Sequence, residues 1–144
     1  MACLCAYCPS EFQQRPDPFS KSGTWKATQN RQFLCYNGVV VFDDILDEAL
    51  LDHFYLLVVA IRLLARKTDK TTDLGRQQIA SRADKAEILL NEFCLKTQQL
   101  YGPHIAGIFN FHSVNHLVND YHNLGCIEDY SAFQYESFLG TSVK

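Results

Sequence analysis

The sequence predicts an all-α fold, an irregular helical domain built on a long antiparallel helix hairpin. Apolar residues recur at intervals of three and four through two long stretches, Leu46 to Leu64 and Ile79 to Leu100. Between them lies a polar stretch, Lys67 to Arg76, that holds Gly75 and reads as a surface loop. One β-branched and aromatic run, Val39 to Phe42, has no second run to pair with, so no sheet is expected.

The elements follow in chain order. Pro9, Pro16 and Pro18, with Ser20, Ser22 and Gly23, make residues 1–23 a loosely structured lead-in, ahead of a helical domain over 24–144. Thr24 offers an N-cap to a short helix from Trp25 to Tyr36, and Asn37-Gly38 supplies its stop. Val39 to Phe42 then reads as a buried extended linker. Asp44 or Asp47 caps the first long helix, which runs to about Lys67 through Leu46, Leu50, Phe54, Leu57, Ile61 and Leu64. Leu51, Tyr55, Val58 and Val59 make it apolar nearly all round, as a helix central to a core is. The second long helix, Gln77 to Leu100, carries Ile79, Ala83, Ala86, Leu90, Phe93, Thr97 and Leu100 on one face, and Gly102-Pro103 breaks it. Ile105 to Phe111 stays apolar, Ser113 to Leu124 forms a helix closed by Gly125, and a last short helix runs from Ser131 to Gly140.

Composition narrows the function classes. With 47% hydrophobic and 20% charged residues the chain is too apolar for disorder and reads as one soluble globular unit. The run Phe54 to Ala65, broken by Arg62, is shorter than the roughly 20 residues a bilayer requires, so no membrane partner is expected. A formal net charge of −3 argues against avid nucleic-acid binding by the whole surface and confines any such contact to a local patch. That patch is Arg62, Arg66, Lys67, Lys70 and Arg76, whose other reading is a solvated helix end complementing the helix dipole.

The remaining chemistry-bearing residues give weak patterns. His112 and His116 lie four apart on one helix face, a zinc-type spacing, but Ser113 and Asn115 stand where a carboxylate would be needed and no third ligand is near. Cys3, Cys5 and Cys8 are compactly spaced but lack a fourth ligand, whereas Cys35, Cys94 and Cys126 sit singly in apolar settings as small hydrophobes. This pattern suits a reducing intracellular compartment. Asp43, Asp44, Asp47, Glu48 and Asp52 crowd a helix start, where carboxylates favour the positive dipole end.

Five ordered blocks carry a resemblance. They are Pro9-Ser10-Glu11-Phe12-Gln13 with Trp25 to Thr28 and Arg31 to Gly38; Leu51 to Arg62; Leu100-Tyr101-Gly102; Asn110 to Asp120; and Ser131 to Gly140. In this order and spacing they resemble the C-terminal, mostly helical part of CACTA (En/Spm-like) cut-and-paste DNA transposases of animal transposable elements. Gln29 and Asn30 stand where that family often has an acidic residue and an aromatic. The resemblance implies descent from the helical insertion and final helix of a ribonuclease-H-like nuclease. In such enzymes two aspartates and a third acid hold paired Mg²⁺ ions that activate the attacking oxygen. Glu136 is the position similar to the third acid; the two aspartates lie upstream in the family and have no counterpart in this chain. The chain thus looks like a truncated transposase C-terminal region without independent catalytic activity and with no cofactor of its own, nuclear if it behaves as transposases do. Alternatively it is a domesticated DNA-binding or protein-interaction module. Its expected partners are then DNA, a second copy, or a partner helix seated on apolar surface left by an absent catalytic layer.

Overall fold

A computed structural model of the protein describes residues 17–106 and 113–130, and it is all-α: no strand occurs among the described residues. The chain divides into two compact units, Met1–Ile45 with Phe133–Lys144, and Leu46–Ala132.

In the first unit a 3-10 helix, Phe19–Thr24, occupies sequence expected to be irregular, and Thr24 closes it by donating from Oγ1 to the Lys21 carbonyl at 2.9 Å. Helix α1 is Ala27–Gln32. Its start is fixed by Gln29, whose Oε1 accepts from the Lys26 amide at 2.9 Å while Nε2 donates to Asp17 Oδ2 at 3.0 Å. Capping therefore falls to Gln29, and Thr24 does not cap this helix. The backbone then widens into a π-helical turn, Phe33–Asn37, and continues directly as α2, Gly38–Asp43. Asn37-Gly38 is no stop: Gly38 has φ −60° and ψ −35°, ordinary right-handed helix. The Val39–Phe42 run is accordingly helix and not extended linker. Phe33 and Phe42 stack edge to face with ring centroids 5.2 Å apart, and Phe19 and Trp25 pack on Phe33 at 5.4 and 5.1 Å. Contact among these partly buried aromatics outweighs the mild strand preference of three valines.

In the second unit α3, Glu48–Ala65, and α4, Asp73–Tyr101, form the expected hairpin. Asp47 caps α3 by accepting from the Leu50 amide at 3.0 Å. Thr72 caps α4 through the Gly75 amide at 3.0 Å, so α4 begins four residues before the expected Gln77. The buried residues of α3 are His53, Val58, Ala60 and Leu64; the face toward α4 is His53, Ala60 and Leu64 with Leu57 partly buried, so that His53 and Ala60 stand one position round from the expected Phe54 and Ile61. The α4 face is the expected one: Ala83, Ala86, Leu90, Phe93 and Thr97 are buried. Alanines at 83 and 86, both fully buried, let the two backbones come close. Gly102, at φ +86°, ends α4, and Pro103 opens the short α5, Pro103–Ala106. Helix α6, Leu117–Leu124, adds Val118 and Tyr121 to the core before Gly125, at φ +96°, turns the chain into α7, Ile127–Tyr130. The expected terminal helix from Ser131 lies outside the described residues. No described helix is long and apolar enough to cross a membrane.

Candidate functional site

The site with the most chemistry in reach is a cleft of about 680 Å³ where the α3–α4 loop faces α6 and α7. The loop is held from both sides. From α4, Arg82 Nη1 donates to the Arg66 carbonyl at 3.3 Å and to the Thr68 hydroxyl, and Arg76 Nη1 donates to the carbonyls of Lys70 and Thr71 at 3.1 and 3.2 Å. From the far side, Cys126 Sγ donates to the Ala65 carbonyl at 3.0 Å, and Lys67 pairs with Asp129 at 2.9 Å. Inside the loop, Asp69 accepts from the Thr71 amide and hydroxyl at 2.8 and 2.7 Å, which holds its carboxyl below the usual carboxylate range.

Gly75 admits this geometry. A Cβ there would stand 1.8 Å from the Asp69 carbonyl oxygen, so only glycine lets the loop cross the first turn of α4. The sequence reading treats Gly75 as loop, whereas the structure makes it the residue the loop leans on.

Four of the five basic candidates, Arg66, Lys67, Lys70 and Arg76, line this cleft; Arg62 does not. Two carboxylates, Asp69 and Asp129, share the lining. Lys67 is paired with Asp129, which holds its ammonium above the ordinary lysine value through a direct hydrogen bond. Arg76 is paired with Asp73. Arg66 and Lys70, set against Asp69, therefore leave a positive excess of one charge, which suits an anion with several oxygen acceptors.

Covalent chemistry finds little purchase here. Burial pushes the Cys126 thiol up, and its bond to the Ala65 carbonyl requires the proton to stay on sulfur, so it is no thiolate nucleophile. Cys35 is likewise a buried thiol outside any disulfide, as expected of a small hydrophobe, while Cys94 is half-buried and donates to Asn115 Oδ1 at 2.9 Å.

Glu136 and His112 lie outside the described residues, as do Cys3, Cys5 and Cys8. His116 is exposed at the start of α6. Among the described residues no group of three or more His, Cys, Asp or Glu side chains is placed to hold a metal ion. Of the acidic cluster, Asp47 caps α3.

One buried polar group was not singled out by sequence reasoning. His53, 4% exposed, stacks on Phe93 at 4.2 Å between ring centroids, and its Nε2 lies 3.1 Å from the Phe93 carbonyl and 2.9 Å from Thr97 Oγ1. Thr97 itself donates to the Phe93 carbonyl at 2.8 Å, so its oxygen is left to accept from His53 Nε2–H. Nδ1 then accepts from the Tyr101 hydroxyl, 3.5 Å away. Burial favours the neutral imidazole and lowers its pKa from the ordinary 6.5, with the Phe93 carbonyl opposing the effect and Lys96 adding to it. A histidine in step with Leu57, Ala60 and Leu64 is the signal that could have marked it as core.

No family model, curated protein or solved structure matches the chain.

Proposed function

We propose that this chain is a helical domain of CACTA-transposase descent that grips nucleic-acid phosphate in the α3–α4 loop cleft and cuts no DNA by itself. The observation that carries the binding half is the convergence of Arg66, Lys67, Lys70 and Arg76 on one cleft in a chain whose formal net charge is −3. A local cluster of this kind holds a phosphate backbone without reading bases. The descent rests on the five sequence blocks, and an all-α fold with a long hairpin is what they imply. Glu136 is the residue to inherit the third acidic position, and one carboxylate alone does not hold the paired Mg²⁺ that the family's chemistry uses. Such a module works where DNA is, in the nucleus.

The test is fluorescence anisotropy with a labelled duplex at several salt concentrations. With Lys67 and Arg76 held in ion pairs, phosphate contacts from Arg66 and Lys70 give a slope of log affinity against log salt of about −2, and Lys70→Gln should flatten it by about 0.9 while weakening binding to all sequences alike. A duplex that does not bind at low salt, or binds with no salt dependence, removes the phosphate-binding reading.

A further inference from the structure

The core face of α3 runs through His53, Leu57, Ala60 and Leu64. The residues diametrically opposite, at the same spacing of four and three, are Glu48, Asp52, Tyr55, Val59 and Arg62. The charged three are exposed, Val59 is 44% exposed and Tyr55 is half-buried. A helix apolar nearly all round was expected to be enclosed; this stripe is not. Beside it, Asp52, Tyr55, Leu56 and Val59 of α3, with Leu89 and Lys96 of α4, line a groove of about 260 Å³ along the hairpin seam.

From Asp52 to Arg62 the order of the stripe is acidic, apolar, apolar, basic. Reversed end for end it complements itself. Laid antiparallel on its own copy about position 57, Asp52 meets Arg62 and Tyr55 meets Val59, and each pair occurs twice. A two-fold axis produces this kind of isologous contact. A parallel copy would set acid on acid and base on base. A foreign helix would have no reason to find the palindrome.

We infer that the outer face of α3 is a homodimer interface, on which a second copy of this chain packs its own α3 antiparallel across a two-fold axis near Leu57. The proposal is independent of phosphate binding. One pair of 18-residue helices, each about 27 Å long, buries less area than a standard interface, so the dimer has a Kd of roughly micromolar order and weakens as salt rises.

Sedimentation equilibrium of the full chain across the micromolar range tests it, with far-UV circular dichroism to confirm that each variant keeps its helix. Wild type is expected to dimerise. Asp52→Arg and Arg62→Asp should each lose self-association at least tenfold, because each faces like charge with like. Mixed in equal amounts, these two variants should form a heterodimer, since both cross-pairs are then opposite in sign, and the double variant should dimerise as wild type does. A wild-type chain that stays monomeric, or single variants that dimerise undiminished, overturns the proposal. Single variants that dissociate with no recovery on mixing or in the double variant also overturn it, leaving a parallel copy or another protein's helix as the occupant of the stripe.

Discussion

At the scale of single residues, His53 shows how a polar group is kept inside a small helical core. Nε2 must donate, because the Phe93 carbonyl only accepts and the Thr97 hydroxyl proton is already used. Protonating Nδ1 as well would place a charge beside Phe93 in the interior. The consequence for stability has a definite sign. Above the unfolded value of about 6.5 both states hold the neutral ring and the contribution is flat. As pH falls below it, the unfolded chain takes a proton that the folded chain refuses, so stability is lost until the lower folded pKa is passed. His53→Leu should cost about 1–2 kcal/mol near neutrality through the lost hydrogen bonds, and should flatten this limb. Urea melts of both proteins between about pH 7.5 and pH 4.5 check it, because carboxylates common to both cancel in the difference. A wild-type minus variant difference that does not change with pH would show that the ring is not held neutral.

At the scale of elements, the loop before α4 depends on what Gly75 lacks. In an open helix, replacing glycine by alanine gains about 1 kcal/mol. Here the new methyl would drive into the Asp69 carbonyl and force the loop off the first turn, so Gly75→Ala should instead cost about 1–3 kcal/mol and weaken whatever the cleft holds. A thermal melt decides the sign, since a raised Tm would mean the loop gives way freely. The hairpin was legible in the sequence because its two helices bury repeats long enough to show a period, and Asp47 and Gly102 stand at its ends. The α2 helix was not legible, because four apolar residues after Asn37-Gly38 carry no period and look alike as strand, linker or helix. What decides their state is continuity with α1 through a π turn and the packing of Phe42 on Phe33, and neither is a local property. The candidate site divides in the same way. Its basic half is local in sequence, from Arg66 to Arg76, and could be read; its opposite wall, Tyr121, Cys126 and Asp129, arrives only when α6 and α7 pack back onto the hairpin. Nor does spacing along the chain reveal that Arg62 faces away from that cleft, since this follows from which side of α3 is buried.

At the scale of the whole molecule, what matters is how much of it one core serves. Ala60 and Leu64 of α3, Ala83, Ala86 and Leu90 of α4, and Val118 and Tyr121 of α6 form one contiguous buried cluster, and all lie within Leu46–Ala132. The His53 network, the loop brace and the cleft lie within the same span. A segment that holds its own core, caps and loop braces meets the requirements of an independently folding domain, although at this length it buries a smaller share of its surface and has little stability to spare. The segment Leu46–Ala132 produced alone should therefore be helical and melt cooperatively, with a Tm no higher than that of the full chain. It should also keep the salt-dependent duplex affinity of the cleft and the self-association of α3, because every residue assigned to either lies inside it. Circular dichroism melts followed by the same binding and sedimentation measurements check this. A helical segment that melts without a transition would mean that the alanine-rich seam does not specify a unique packing by itself. The contacts that complete it would then have to come from residues outside Leu46–Ala132.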